Sequence, residues 1–400
     1  MRPEHDLPEL AGGAVTSLPT IDRASLVATR RDIHQHPELG FEETRTAALV
    51  ADRLRGLGYD VATGVGRTGV VGIKPAAKGK CVMVRADMDA LPVDEANAVP
   101  YRSTVAGRMH ACGHDGHVAI GLETARRLAG VKLAGALKLA FQPAEEVSNG
   151  AQAMIEDGVL DAPRVDAAFG IHLWNQLPVG TIGVTAGPLM ASVDEFEITV
   201  HAPEGGGHAA LPHQTADPIL VAAHIVTALQ SLVSRRRDPL EEAVVSVTQV
   251  HAGRAYNVIP GRAELRGTVR TFGGRFWKEA PTLIETVAAG IAAAFGARAE
   301  VSYRRLTGTL VNDAAMAELM ASVARDVVGA DNVRRDVRTM GGEDMSYFLQ
   351  RVPGCFAFVG SAPRSGSAAS HHSPTFDIDE ESLVIGTELL SRTVLAYLTA

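Results

Sequence analysis

The chain has 400 residues, a length that suits one large domain or two modest ones. Hydrophobic residues make up 46% and charged residues 21%, as in ordinary globular proteins, and the formal net charge of -8 argues against nucleic acid as the main partner. The three widely spaced cysteines argue against a disulfide framework. The N-terminal stretch lacks the apolar core of a signal peptide or membrane span, so we expect a cytoplasmic protein.

Strands and helices alternate along the first half of the chain, after a loose tail of about a dozen residues. The predicted elements are helices in residues 22–36 and 42–61, strands at 69–73 and 81–87, a helix at 115–130, and strands in 136–146 and 165–174. This alternation predicts an α/β domain with a mixed, largely parallel sheet flanked by helices. In such sheets, sites form at the carboxyl ends of strands. Four potential functional residues fall at or just past predicted strand ends: Asp87, Glu145, Glu146 and His172.

The middle of the chain has a different pattern. Between Ser192 and Arg304 the order is strand, helix, strand, strand, helix, strand, which is typical of a ferredoxin-like β-α-β-β-α-β unit. The α/β pattern then resumes up to a final helix. We therefore predict a discontinuous catalytic domain (15–190 and 305–400) with an inserted lid and dimerisation domain (191–304), and a flexible loop at 361–370.

The stretch "HACGHDGH" carries a possible metal site. Cys112 and His114 lie two residues apart, a spacing that can bring a thiolate and an imidazole to one ion. Asp115 is a candidate N-cap of the helix that follows, and His117 is expected to face the same side as His114. We interpret His110, Asp115 and His117 as supporting residues rather than ligands.

Other polar residues far along the chain complete a mixed ligand set. "FQPAEE" places two carboxylates side by side, so that Glu146 can bind metal while Glu145 remains free as a base. His172 and either His371 or His372 would add imidazoles. Together with Cys112 and His114, these residues predict a two-metal centre that activates water and polarises a carbonyl.

Several stretches along the chain carry a family resemblance. They occur in this order: "RRDIHQHPELGFEE", "RADMDALP", "HACGHDGH", "FQPAEE", "GIHLWNQLPVGTIGV", "GGHAALPHQTADPI", "NVIPGRAELRGTVRTF", "GGEDMSYFLQRVPGCFAFVG" and "HHSPTFDIDEESL". They resemble the amidohydrolase branch of the aminoacylase and glutamate-carboxypeptidase metallopeptidases. That branch includes hippurate hydrolases, N-acyl-amino-acid amidohydrolases and plant hydrolases of auxin–amino-acid conjugates. The resemblance extends from about Ile21 to the C-terminus, and the combination of motifs is highly specific.

The resemblance implies a role for each matching metal ligand. Cys112 resembles a ligand that bridges both metals. The other ligands implied are His114, Glu146, His172 and His372. In the last motif the ligand is the His directly before Ser-Pro, which selects His372 over His371.

The resemblance also implies catalytic and supporting residues. Glu145 resembles the general base and acid, and Asp89 matches the position of a supporting acidic residue. Asp87 stands where other branches carry a metal-binding His, so we interpret both aspartates as residues that support the ligands. In the predicted insertion, His208 matches a residue that stabilises the oxyanion, often across a dimer. Two further positions, Asn257 and Arg270, match residues that hold the acyl or carboxylate group of the substrate. The loop before His208 departs from the family, because Glu204 and Gly205 replace Gly and Lys, which leaves specificity open.

The leading hypothesis is hydrolysis of the amide bond of N-acyl amino acids or related small conjugates by a homodimeric or higher homo-oligomeric enzyme. Two divalent ions per subunit are expected, with zinc favoured and manganese, cobalt or nickel as alternatives. A dipeptidase or exopeptidase would use the same centre. A metal-stabilised binding protein without turnover is a third hypothesis, which the presence of Glu145 disfavours.

Overall fold

The structure is a computed structural model that describes residues 18–363 and 368–399. The helices are α1 (Arg23–Gln35), α2 (Thr44–Gly56), α3 (His114–Ala129), α4 (Gly150–Glu156), α5 (Pro218–Ser231), α6 (Gly274–Ala294), α7 (Ala314–Val328), α8 (Ser346–Leu349) and α9 (Glu381–Thr399). The strands are β1 (Asp60–Val65), β2 (Gly69–Lys74), β3 (Cys81–Asp87), β4 (Ala136–Gln142), β5 (Ala167–Pro178), β6 (Ile182–Gly183), β7 (Gly187–Met190), β8 (Ser192–His208), β9 (Ala243–Ala252), β10 (Val258–Thr271), β11 (Arg298–Thr307), β12 (Leu310–Asn312), β13 (Val333–Arg334) and β14 (Gly354–Ala362). The predicted N-terminal tail and residues 364–367 of the predicted flexible loop lie outside the described residues.

The central sheet has eight strands in the order β1-β2-β4-β3-β5-β14-β6-β13. Its inner strands β4, β3, β5 and β14 run parallel to one another. Both β3 and β4 are buried along their whole length, which explains their nearly continuous apolar sequences, because helices cover both faces of a parallel sheet. The predicted mixed, largely parallel α/β sheet is confirmed.

Alternate residues of β3 enter two different hydrophobic cores. Val82 and Val84 pack in the core that includes α1, α3 and α9, whereas Cys81 and Met83 pack in the core that includes α4 and α8. Side chains alternate between the two faces of a strand, so the sheet is held between two helical layers. The layer that contains α1, α3 and α9 places the start of α3 at the carboxyl end of β3.

Of the three strands predicted to end at polar residues, β3 ends where the sequence indicated, whereas the strand predicted over 136–146 is shorter and the one predicted over 165–174 is longer. β3 ends at Asp87, and β4 ends three residues before Glu145. The prediction that a strand ends at His172 was wrong, because β5 continues to Pro178. The reason lies in the pairing: the contact with β3 stops at Gly170, whereas β14 continues to pair with β5 beyond His172. The imidazole therefore stands beyond the end of β3 although it lies within a strand.

A second sheet is built from β8 to β11. Its four strands are antiparallel in the order β11-β8-β10-β9, and α5 and α6 pack against it around a separate hydrophobic cluster. The two central strands, β8 and β10, pair from Ser192↔Thr271 to His208↔Val258. The predicted order of strands and helices in this segment is confirmed. Strand β11, however, runs past residue 304, the predicted end of the segment, to Thr307.

One stretch of the described residues, Pro218–Arg236, is long and apolar enough to cross a membrane by length and composition alone. It comprises α5 and a turn of π-helix. Val221, Ile225 and Leu229 on its inner face are buried in the core of the second sheet. Burial of this face accounts for part of the apolar composition of the stretch, a third of which is buried.

Candidate metal centre

Cys112 and His114 flank a glycine at the start of α3. Gly113 has a φ of 86°, in the left-handed region that favours glycine, and the helix begins at the next residue. Cys112 is 8% exposed and His114 is fully buried. The polar stretch noted in the sequence is therefore folded into the interior instead of forming a solvated loop.

The side chains expected to bind metal lie together although they are far apart in the sequence. Ligand atoms of Cys112, His114 and His172 are all within 4.8 Å of one another, and so are those of Cys112, Glu146 and His372. Cys112 Sγ is 3.5 Å from His172 Nε2, and His372 Nε2 is 3.4 Å from Glu146 Oε2. Cys112 belongs to both groups, which is the position that a ligand shared by two ions requires.

Two buried atoms in this cluster fit the presence of a cation. Among the described residues, His114 Nε2 and Glu146 Oε1 have no hydrogen-bond partner, although each is shielded from solvent. Buried polar atoms are rarely left without a partner. An imidazole nitrogen, a carboxylate oxygen and the nearby thiol are typical zinc ligands, so the donor set fits a metal ion.

Two of the candidate ligands, Cys112 and His172, have strongly shifted pKa values in the protein without metal. Burial, together with Glu146, Glu145 and Asp87, raises the pKa of the Cys112 thiol well above its usual range. Burial also lowers the pKa of His172 well below its usual range. A neutral imidazole can donate its lone pair to a metal ion. The Cys112 thiol, in contrast, stays protonated here unless a cation is close, and a coordinating metal ion deprotonates it.

Asp89 fixes the orientation of two of the candidate ligands. The backbone oxygen of Asp89 lies 2.9 Å from His114 Nδ1, so this nitrogen donates and Nε2 is left facing the cluster. The Asp89 carboxylate accepts the backbone N–H of Glu146 at 2.9 Å. Asp89 thus links the start of α3 to the loop that follows β4, in the manner of residues that orient metal ligands from behind.

Asp87 and His117 form a second supporting pair. His117 Nε2 accepts the backbone N–H of Leu173, so its Nδ1 carries the proton donated to Asp87, 2.5 Å away. The rings of His114 and His117 lie 5.3 Å apart, which confirms that both face the same side of α3. Because both nitrogens of His117 are engaged, we interpret it as holding β5 in place beside the cluster.

The prediction that Asp115 caps α3 was wrong. The helix begins at His114, and the Asp115 carboxylate accepts hydrogen bonds from Arg30 Nε and His34 Nδ1, each at 2.8 Å. Arg30 is fully buried, and a buried guanidinium requires a carboxylate partner. Asp115 therefore joins α3 to α1 instead of capping the helix.

Glu145 stands next to the cluster without belonging to either group that contains Cys112. Burial and the carboxylates of Glu343, Glu146 and Asp344 raise the pKa of Glu145 well above its usual range, and Arg85 offsets part of this rise. A carboxylate with a raised pKa is a stronger base.

The buried cluster around Arg85 was not identified from the sequence. Its guanidinium contacts Asp87 at 2.8 Å, Glu343 at 2.8 Å and Asp344 at 3.1 Å. Two signals were present: an arginine in the apolar strand β3 and the adjacent carboxylates of "GGED". Neither reveals that residues so far apart in the chain meet behind Glu145.

A cavity of about 670 Å³ opens over the cluster. The residues that line it include Cys112, Glu145, Glu146, His172, His372 and Arg270. Apolar parts of its wall come from Trp174, Met190 and Leu306. The cavity therefore brings the candidate metal ligands, the Glu145 carboxyl group, the Arg270 guanidinium and an apolar surface together around one space.

Comparison with known proteins identifies the family. The sequence matches the model of peptidase family M20/M25/M40 over residues 83–396. The chain belongs to this family.

The chain is 41% identical over 377 residues to N-acetylcysteine deacetylase of Bacillus subtilis, covering 93% of this chain and 97% of that protein. It is also 39% identical to the IAA-amino acid hydrolase ILR1-like 4 of Arabidopsis thaliana, covering 93% and 86% of the two chains. Among solved structures, the Bacillus subtilis YxeP protein, described as a dinuclear metal binding peptidase of the M20 family, matches with a TM-score of 0.81 and 36% identity, covering 94% and 98%.

In this M20-family chain, the late histidines have different contacts. His371 Nε2 lies 3.0 Å from the backbone oxygen of Leu173, whereas His372 Nε2 faces Glu146. His372 also has a φ of 66°, and its backbone N–H donates to Ala111 in the loop before α3. His372, and not His371, accordingly shares a group of close ligand atoms with Cys112 and Glu146.

The three residues expected from the second sheet lie in different places in the M20-family chain. Arg270 lines the cavity over the metal cluster. His208, at the end of β8, is exposed and accepts the backbone N–H of Ala210, and Asn257 is exposed in the loop between β9 and β10. Neither His208 nor Asn257 lines the cavity within the described chain. Their assignment to oxyanion and substrate binding stays a prediction.

Proposed function

We propose that the chain is a metal-dependent amidohydrolase that cleaves the amide bond of N-acyl amino acids or related small conjugates. The observation that carries this proposal is the shared cavity, in which Cys112 joins two ligand groups and Glu145 lies beside them without belonging to either. The names of the similar proteins, a deacetylase and an amino acid conjugate hydrolase, support the same reaction class.

The residues proposed to hold two divalent ions are Cys112, His114, Glu146, His172 and His372. When bound, such ions lower the pKa of water and polarise a carbonyl oxygen. Zinc is the ion we favour, because a thiolate, imidazoles and a carboxylate are its common ligands, although manganese, cobalt and nickel accept similar sets. We place the enzyme in the cytoplasm, where Cys112 stays reduced.

Glu145 is proposed to transfer the protons of the reaction. It takes a proton from the attacking water and passes one to the leaving amine, as one carboxyl group can do in two successive steps. The raised pKa of Glu145 favours the first transfer, and the nearby Arg85 cluster holds its surroundings rigid.

Arg270 is proposed to bind the carboxylate of the amino acid. Its guanidinium is half buried, and its Nε donates to Thr268 Oγ1 at 3.1 Å. No carboxylate in the described chain lies within hydrogen-bond distance of this cation. Burial lowers its pKa although Asp194 opposes this, which indicates a guanidinium without full compensation. An incoming carboxylate would supply the missing charge and can bind the guanidinium in a bidentate manner.

The segment 191–304 is proposed to act as a ferredoxin-like lid and dimerisation domain. Strand β9 has β10 on one side and an open edge on the other among the described strands. Apolar side chains are exposed on nearby elements: Ile219 48%, Leu220 47%, Val250 54%, Tyr256 100% and Val258 52%. An open edge with exposed apolar side chains favours pairing with a second copy about a two-fold axis. In such a dimer, His208 and Asn257 would reach the partner's cavity.

A substrate panel tests this function. The metal-loaded protein is assayed with N-acetyl, N-benzoyl and longer-chain acyl amino acids, with dipeptides as the alternative substrates, and each reaction is repeated after chelation. Hydrolysis of acyl amino acids that chelation abolishes and added metal restores is expected. Preferential cleavage of dipeptides would favour the exopeptidase, and metal binding without hydrolysis of any member would refute the proposed function.

A further inference from the structure

The turn that carries Glu145 and Glu146 has an unfavourable backbone conformation. It follows β4 at Pro143, and Ala144 within it has a φ of 53°. This left-handed region is rarely adopted by residues other than glycine, asparagine and aspartate. Such a conformation persists only when the surrounding structure holds it in place.

Glu43 is the residue that holds this alanine. The backbone N–H of Ala144 donates to Glu43 Oε1 at 2.8 Å, and the hydroxyl of Thr68 donates to the other carboxylate oxygen. Glu43 is fully buried, and it directly precedes α2, where its side chain makes no capping bond. Its carboxylate is therefore available for the turn instead of for its own helix.

The chain before Glu43 also packs against the turn. A Cβ atom placed on Gly40 would lie 3.1 Å from the Cα of Ala144 and 3.2 Å from its Cβ. The backbone oxygen of Glu38 accepts the N–H of Ala90, directly after Asp89. The motif "HPELGFEE", to which the proposed chemistry assigns no role, thus forms the wall behind the base and its neighbour.

We propose that Glu43 is a positioning residue for Glu145, acting through the backbone of Ala144. This inference rests on the proposed function, because Glu145 is the base of that reaction. Glu43 and Asp89 hold the turn from two sides: one accepts the N–H of Ala144 and the other accepts the N–H of Glu146. Without Glu43 the N–H of Ala144 loses its partner and only the bond from Gly150 N–H and a long one from Asn149 N–H to its carbonyl oxygen remain, while Asp89 still holds the proposed metal ligand Glu146.

Glu43 supports the turn at Ala144, whereas Asp89 supports it at Glu146, so Glu43→Ala should affect kcat more than KM or metal binding. The value of kcat should fall by about tenfold to a hundredfold, because misplacing a catalytic group by about 1 Å has effects of this size. The KM and the bound metal should change by less than about twofold, since the metal ligands keep their own supports. Glu43→Gln should retain most of the activity, because its amide oxygen can accept the Ala144 N–H and its NH₂ group can donate to Thr68.

Two further variants separate positioning from general destabilisation. Adding Ala144→Gly to Glu43→Ala should recover part of the lost kcat, because glycine adopts the left-handed conformation at little cost. The matched control is Glu42→Ala, since Glu42 is the exposed neighbour that pairs with Arg108 and does not touch the turn. If Glu43→Ala does not fold, Gly40→Ala should show the same fall in kcat, because its Cβ displaces Ala144.

Hydrogen exchange of the metal-free protein gives a readout that does not depend on catalysis. The amide of Ala144 should exchange faster in Glu43→Ala than in the wild type and in Glu42→Ala. Wild-type kcat in Glu43→Ala or Gly40→Ala, or unchanged exchange at Ala144, would overturn the positioning role. If the wild type hydrolyses no acyl amino acid, the proposed function fails, and the exchange rates still decide whether Glu43 holds the turn.

Discussion

His114 Nε2 and Glu146 Oε1 are buried polar atoms without hydrogen-bond partners among the described residues. Leaving such an atom unsatisfied costs about 1–3 kcal/mol. The sequence predicted which side chains could meet here, because a thiol, imidazoles and paired carboxylates are chemically distinctive. It could not reveal the Arg85 cluster behind Glu145, since a buried charge is recognisable only when its tertiary partners are known.

At the residue scale, Arg270→Met should weaken substrate binding. The half-buried guanidinium would no longer meet the carboxylate of the amino acid, so the KM should rise by about tenfold to a hundredfold, as expected for a charge-assisted hydrogen bond worth about 1.5–3 kcal/mol. Steady-state kinetics with an acyl amino acid measure this effect.

The control for this variant is Arg266→Met on the same strand, where the arginine is 51% exposed and pairs with Glu197. Its KM should match the wild type. Equal effects of the two variants would show that Arg270 does not bind the substrate.

At the element scale, α1 joins the two ends of the ligand set. Arg30 on α1 binds Asp115 beside His114 and also binds Asp377, five residues after His372, each at 2.8 Å. The spacing of apolar residues was sufficient to predict α1, α3 and the buried strands. It misplaced the end of β5 and the cap of α3, because these features depend on pairing with β14 and on the contact with Arg30.

Arg30→Met should therefore lower the free energy of unfolding by about 3–5 kcal/mol, the usual cost of breaking a buried ion pair. Arg31→Met is the control, because Arg31 is 42% exposed and its pair with Glu380 should contribute about 1 kcal/mol or less. Urea denaturation measures the free energy of unfolding of both variants. Similar decreases of this free energy in the two variants would contradict the structural role of Arg30.

The stabilisation by the Arg30–Asp115 ion pair depends on pH. Although burial opposes the effect, Arg30 and His34 hold the pKa of Asp115 well below its usual range. The stabilisation is accordingly present above the ordinary value of 3.8 and is lost only as the pH falls below it towards the folded value. The difference in unfolding free energy between the wild type and Arg30→Met, measured by urea denaturation at each pH, should therefore shrink as the pH falls below 3.8.

At the scale of the whole molecule, the sequence predicted two sheets but could not position His208. Within the described chain His208 is exposed and lies outside the cavity over the metal cluster. If a second copy supplies it, each active site is composite. Local patterns do not encode such an arrangement, because it depends on how two copies pack.

Mixing two inactive variants tests this arrangement. His208→Ala and Glu145→Gln are refolded together, so that about half of the dimers combine one copy of each under random pairing about a two-fold axis. Such a dimer has one complete site, and about a quarter of wild-type activity should return. No recovery would show that His208 does not act across the dimer.

Glu145 is proposed to be the base of a metal-dependent amide hydrolysis. The most direct measurement is the turnover of one acyl amino acid by Glu145→Gln, loaded with metal, with metal content determined on the same sample. Metal content equal to that of the wild type is expected, with kcat reduced by about 10²–10⁴-fold, the usual contribution of a positioned acid–base group. Wild-type turnover in this variant would contradict the proposed mechanism.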